Sequence, residues 1–258
     1  MLSRAIDLLN DDYTSVISLK CKKDAGPVAV TLETERGAGG ALSSKVGTKF
    51  AYAGFNVDKG QIKADGGRVL ETSVKPYPGF TLSFKASKGA DLCLDYTKGT
   101  FFATSVLDVM DTSKVSASAS YGLSSGFTFG ASTIYGLAGK TGLTAYDVGM
   151  KYSTGPLLAS VTTSEKLSVF NIDLLYKVND DITLASQTTH SSAKTCDVLA
   201  IGGLYKAPFG VVKAKIGSNG ILSTALIKEV APKVTVKASG SVSTSDFSNF
   251  KTGLGIEF

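Results

Sequence analysis

The chain is 258 residues long and carries 27 Lys and Arg against 22 Asp and Glu, a net charge of +5. That surplus is too weak to demand nucleic acid as a partner. Apolar residues make up 43% of the chain, yet no run approaches the ~18–20 consecutive apolar residues of a membrane helix. Cys21, Cys93 and Cys196 are odd in number and far apart, so they form neither a C-x-x-C pair nor a disulfide framework. The first residues hold one basic group and no apolar stretch of signal-peptide length, so export through a cleaved secretory signal is not expected.

One helix is expected, at the start. Leu2, Ala5, Ile6 and Leu9 recur at helical spacing, with Ser3, Arg4, Asp7 and Asn10 on the other side. Asn10-Asp11-Asp12 breaks it. A free helix this short is marginal in water, so it must pack on something.

Everything afterwards reads in period two. Ile17-Leu19-Cys21 alternates with Ser18-Lys20-Lys22, and Val28-Val30-Leu32 with Ala29-Thr31-Glu33. Val46-Thr48-Phe50-Tyr52, Phe55-Val57, a weaker strand from Val69 to Tyr77, Phe80-Leu82-Phe84-Ala86 and Leu92-Leu94-Tyr96 follow. The middle is clearest: Val115 to Leu123 turns at Ser124-Ser125-Gly126 and returns as Phe127 to Leu137. Tyr146 to Tyr152, a strand after Gly155-Pro156, Phe170 to Val178 and Ile182-Leu184 come next. Further strands cover 197–207, 210–218, 220–230 and 233–239, and the chain closes on Phe250-x-Thr252-x-Leu254-x-Ile256-x-Phe258.

The total is about nineteen strands of ~9–12 residues, the length that crosses a bilayer at a tilt. Soluble sandwiches use shorter strands and more irregular loops. Aromatic residues lie at or near the ends of many apolar faces (Tyr52, Phe80, Tyr121, Phe127, Tyr135, Tyr152, Tyr176, Phe258), as in the girdles of membrane barrels. The opposite faces are small and polar, which suits a wet interior. The fold expected is all-β, a transmembrane β-barrel in a lipid bilayer, with no linker and no second domain across 1–258. A soluble all-β binding protein is the alternative that periodicity leaves open.

Residues for covalent chemistry are sparse. His190 has no second His and no carboxylate grouping at ligand spacing, so neither a metal site nor a catalytic base is expected. The glycines at 37–40 lack the Gly-Lys-Ser/Thr of a phosphate loop. No cofactor is expected. The lysines say more. Alternation puts Lys20, Lys45, Lys49, Lys85, Lys151, Lys177, Lys213, Lys215, Lys237 and Lys251 on the face away from lipid, where charge sets selectivity. Glu33, Glu35, Asp58, Asp91, Asp95, Asp147 and Asp173 share that face, so the preference for anions should be modest.

The whole chain resembles the eukaryotic mitochondrial porins, the voltage-dependent anion channel family. The strongest match is Lys251-Thr-Gly-Leu-Gly-Ile-Glu-Phe258. It resembles the outer-membrane sorting signal, carried here by Lys251, Gly253, Ile256 and Phe258. Lys233 to Val242 resembles the family's penultimate strand, and Ala5, Asp7 and Tyr13 align with its pore helix. The resemblance implies nineteen strands with the first and last in parallel, and a helix inside the pore. Residues 1–12 would be helix and linker, and 13–258 the barrel. Leu2, Ile6 and Leu9 would dock the helix, and Arg4 would add a basic group to the pore. It further implies passive passage of small anions, ATP and ADP across the mitochondrial outer membrane, voltage dependence, contact with the insertion machinery, and a homo-oligomer or larger assembly as an open arrangement. A protein-import pore of the Tom40 kind is the rival within the same architecture; the short N-terminus and basic balance disfavour it. Three departures stand out. The family's glycine-rich hinge is replaced by Asn10-Asp11-Asp12-Tyr13, its Gly-Leu-Lys by Gly79-Phe80-Thr81, and its membrane-facing glutamate aligns near Asp58 and Lys59, where alternation sends Asp58 inward.

Overall fold

The computed structural model describes residues 3–258 except 38, 111, 139, 140, 193–197 and 249, with side chains from Asp7 onward. Helix α1 (Ser3–Asn10) leads into β1 (Ile17–Ala25), β2 (Val28–Arg36), β3 (Leu42–Tyr52), β4 (Phe55–Lys63), β5 (Arg68–Val74), β6 (Phe80–Ala86) and β7 (Ala90–Lys98). Then come β8 (Phe101–Asp108), β9 (Lys114–Gly122), β10 (Phe127–Gly136), β11 (Gly142–Thr154), β12 (Leu157–Ser164) and β13 (Val169–Lys177). The chain continues through β14 (Ile182–Ser191), β15 (Val198–Ala207), β16 (Gly210–Gly217), β17 (Ile221–Ala231), β18 (Val234–Ser243) and β19 (Lys251–Glu257).

Each strand pairs antiparallel with its sequence neighbours, and β1 pairs in parallel with β19, so the sheet closes on itself. Closure removes both edges and satisfies every ladder internally, the condition for a sheet to stand in hydrocarbon. Short turns make the meander possible. Between β13 and β14 the Asn179 carboxamide oxygen accepts from the backbone N–H groups of Asp181 and Ile182 at 2.9 and 2.7 Å, an Asx turn that reverses the chain with no help from the wall.

The two faces differ as period two requires. One face carries Leu174 (45% exposed), Leu184 (49%) and Ile201 (50%): Leu174 and Ile201 both pair with Ser186, two residues along β14 from Leu184. The other carries Ser160 and Asp173, both at 2%, and Ser223 at 5%. Polar groups lose accessible surface and aliphatic ones keep it, so the polar face is the concave inside. The outer face carries most of the exposed large apolar side chains, and aromatic pairs hold its margins: Phe80 with Tyr96 and Phe127 with Tyr152, each at 4.5 Å between ring centroids.

Two expectations are corrected. β8 is a strand that the period-two pattern does not mark, because Phe102 and Val106 lie on the same face as Thr104 and blur the alternation. Strand length also ranges more widely than ~9–12 residues, from seven in β5, β6 and β19 to thirteen in β11. The β4–β5 pairing slips between Val57 and Lys59, and β3–β4 between Thr48 and Phe50. Asp58 therefore sits at a bulge, where alternation does not fix its side.

The seam depends on the last residue. Phe258 N–H donates to the Lys20 carbonyl at 2.9 Å, and Lys22 N–H donates to the Phe258 carbonyl at 2.6 Å. Removing Phe258 deletes both bonds, about 0.5–1.5 kcal/mol each, together with an outward aromatic ring. The expected outcome is a barrel that fails to reach its heat-resistant, SDS-stable form in detergent or lipid, checked by gel mobility with and without boiling. Wild-type yield of that form would contradict the seam's reliance on Phe258.

Candidate functional site

The candidate site is the inner wall where the N-terminal segment lies. Helix α1 packs against β13, β14 and β15. Leu8 (5% exposed) and Leu9 (1%) form a small apolar cluster with Ala185, against which Leu175, Ala200 and Leu204 pack. Leu175, Ala185 and Gly202 are consecutive partners across β13–β15, on the inner face. The helix is therefore inside the barrel. Gly202 makes the slot: a Cβ there would stand 2.7 Å from Leu9 Cδ2 and 2.7 Å from the Ala214 carbonyl oxygen. Burying two leucines is worth ~1.5–3 kcal/mol each, far more than so short a helix gains alone.

After the helix the backbone turns on Asp12, which adopts φ 74°, a left-handed conformation usual for glycine and tolerated by Asp and Asn. That turn aims its carboxylate at the wall. Lys213 Nζ donates to Asp12 Oδ2 at 2.6 Å and Lys237 Nζ to Oδ1 at 2.8 Å. Lys215 Nζ donates to the Leu9 carbonyl at 2.5 Å, satisfying an open helix end. The same ammonium lies 4.5 Å from the centroid of the Tyr13 ring, a cation–π contact. Ser239 Oγ donates to the Thr14 carbonyl, and Gly253 leaves no room for a Cβ beside that carbonyl. Residues 8–14 are thus fixed to six strands, β13, β14, β15, β16, β18 and β19.

Burial pushes the Asp12 carboxyl up, but its hydrogen bonds to Lys213 and Lys237 and their charges outweigh burial and hold it below 3.8. Burial, with the Asp12 charge beside it, pushes the Tyr13 phenol up to about 12. The Tyr13 hydroxyl oxygen is buried and has no hydrogen-bond partner among the described residues.

The ten lysines named from alternation all occupy the inner-face register, through partners such as Lys20–Glu33, Lys45–Glu33, Lys49–Ala29, Lys85–Glu71 and Lys151–Ser160. Lys177 and Lys251 stand at strand ends. They are not equivalent. Lys45 pairs with Glu33 at 2.7 Å and Glu35 at 3.3 Å. Lys213 and Lys237 are held by Asp12, whereas Lys49 and Lys251 have no ion-pair partner among the described residues. Leu2 lies outside the described residues, and the side chains of Arg4 and Ile6 do as well. Sequence reasoning missed Leu8, Asp12 and Lys22. Lys22 forms an ion pair with Glu257 across the seam, and it shares the parity of Lys20, a signal that was available. Of the four C-terminal positions, Gly253 accommodates Thr14, Ile256 pairs with Leu19, Phe258 closes the seam, and Lys251 opens β19. His190 is exposed and belongs to the outer-face register opposite Phe170.

The Asp12 anchor yields a pH expectation. Its pKa is lowered in the docked state, so the docked state gains stability above the ordinary carboxylate value, ~3.9, and loses it as pH falls through the lowered one. Docking should hold from neutral pH down to about 4 and weaken below it. D12N keeps the left-handed turn and removes the charge. It is expected to lose about 2–4 kcal/mol of docking and to abolish the acid transition. A thiol-reactive probe on a cysteine placed at Asn10, with wild-type and D12N barrels compared across pH in liposomes, checks this. Equal labelling of both at pH 7 would remove the anchor.

A sequence profile described as eukaryotic porin matches residues 1–253. A Neurospora crassa protein named mitochondrial outer membrane protein porin is 27% identical over 176 residues, covering 67% of this chain and 62% of that protein. The alignment thus spans less than two thirds of the relative's length. Two mutants of the Rh. blastica porin superpose with TM-scores of 0.51 at 12% identity, over 94% of this chain and 94% of each porin chain. At that identity the likeness speaks for the fold, a closed membrane barrel. With its profile match over nearly every residue, the chain belongs to the eukaryotic porin family.

Proposed function

We propose that the protein is a passive, diffusive channel for small anions across the mitochondrial outer membrane, with ATP, ADP and similar metabolites among its permeants. Residues 1–12 act as a pore helix and linker, and 13–258 as the wall. It performs no covalent chemistry. The observation that carries the reading is a closed barrel whose inner register, among the described residues, holds more ammonium than carboxylate groups, in a chain of the porin family. Such groups raise the local anion concentration, while a water-filled lumen keeps desolvation low. Membership in the family and the Lys251-to-Phe258 signal support the mitochondrial outer membrane, reached through that membrane's insertion machinery.

The helix narrows the lumen without moving at ordinary potentials. Carrying one elementary charge through 100 mV is worth about 2.3 kcal/mol. Undocking must break two charge-assisted bonds at Asp12, about 1.5–3 kcal/mol each, and expose Leu8 and Leu9. Voltage dependence in this channel therefore arises with the helix docked.

Reconstitution into planar bilayers tests the proposal. A tenfold KCl gradient should give a reversal potential of modest anion preference. Changing Lys45, Lys49 and Lys237 to Glu together should move it toward cations. K49E alone should account for about a third of that shift, because each of the three changes alters the wall charge by the same amount, whether or not the lysine is paired. A pore with no reversal shift in any of these variants would overturn the electrostatic account of selectivity.

A further inference from the structure

The inner-face charges are not mixed around the ring. In the closed order of nineteen strands, β10 lies nine strands from β1 and nine from β19, so it faces the seam across the lumen. The arc from β7 to β13, centred on β10, carries Asp91, Asp95, Asp108, Asp147 and Asp173 in the inner register. Its inner lysines among the described residues are Lys114, Lys151 and Lys177, of which Lys114 and Lys177 stand at strand ends, as Asp108 does. The arc from β15 through the seam to β4 is the opposite. Ammonium groups outnumber carboxylates there among the described residues, even after Asp12, Asp24, Glu33, Glu35, Glu229 and Glu257 are counted.

Local pairing sharpens the contrast. Asp91 and Asp108 are direct register partners, a like-charge pairing that sheets ordinarily avoid. On the other arc Lys45 and Lys63 are partners. Asp95 is held by Thr104, whose hydroxyl donates to Oδ1 at 2.5 Å. Asp173 is 2% exposed; Ser160 donates to its Oδ2 at 3.2 Å, while its Oδ1 has no partner among the described residues. An Asp147 carboxylate oxygen is buried without a partner in the same way. Lys85 faces Asp91 across β6–β7, so the wall offsets this charge at the β7 edge, yet within the arc the five carboxylates still exceed the three ammonium groups among the described residues.

Scale decides whether the arcs act separately. Nineteen strands ~4.8 Å apart and tilted ~40° enclose a ring roughly 35–40 Å across, backbone to backbone. The Debye length is ~8–10 Å at 0.1–0.15 M salt and ~30 Å at 0.01 M. At physiological salt the potential of one arc decays before it reaches the other.

We infer that the lumen holds two laterally separate ion paths, an anion path along β15–β4 and a cation path along β7–β13 that binds organic polycations. This rests on the proposed channel function. The mild anion preference is then the difference between two selective walls, not a weak field spread over one. A permeant with charge at both ends is turned across the axis as it passes.

Current block of the full-length reconstituted channel by two probes, ATP and spermine, tests this in 0.15 M KCl. D91N/D95N is expected to weaken spermine block about tenfold and to change ATP block less than about twofold; K49Q/K251Q should do the reverse. In 0.01 M salt each variant should shift both probes, because the fields then overlap. D91E/D95E should restore spermine block, which separates charge from folding. Reciprocal shifts of both probes in both variants at 0.15 M salt, or a wild-type channel that spermine does not block, would overturn the two paths while leaving the channel assignment intact. A wild-type pore without anion preference would instead overturn the proposed selectivity.

Discussion

Hydrogen bonding around a closed ring governs this structure. In hydrocarbon an unpaired amide or carbonyl costs several kcal/mol, and the parallel β1–β19 ladder is what leaves no edge. Antiparallel neighbours could add strands indefinitely; only the seam fixes the number. It also fixes the side of every residue, since a slip of one position would turn each lysine toward lipid and each leucine toward water. The inner lysines, the docking slot at Gly202 and the opposed charge arcs all depend on that register.

The N-terminal segment uses the interior so defined. It is too short to fold alone, and its stability comes from the wall: two leucines, one carboxylate and two backbone carbonyls. Asp12 occupies a left-handed turn where glycine would cost less strain. The exchange gives up hinge freedom and gains a fixed link to Lys213 and Lys237. Those lysines then contribute less field to the lumen than their number suggests, so the anchor sets both the helix position and the strength of selectivity.

Much of this was legible in the chain. Alternation located the strands and assigned the inner lysines because period two is a property of the backbone, independent of distant partners. Leu9 was legible from helical spacing. Leu8 was not, because the Leu2-Ala5-Ile6-Leu9 stripe left it aside, and the wall wraps around more of the helix than one stripe. The Asp12 anchor could not be read at all: its partner Lys213 lies 201 residues away. The bulge at Asp58 was also hidden, since slips between strands leave no mark on either strand's own pattern. β8 was lost because its inner face mixes Phe102 and Val106 with Thr104.

The seam has a consequence for how the molecule is made. Hairpin after hairpin can zip by local contacts, each closing a loop of a few residues. The ladder that completes the ring joins residues such as Lys22 and Glu257, 235 positions apart. Contacts so distant form late and slowly. Until β19 arrives, the growing sheet carries two unpaired edges and an apolar face, an arrangement prone to aggregation. The same ladder that leaves the finished barrel without an edge therefore keeps the unfinished one exposed until its final strand is in place.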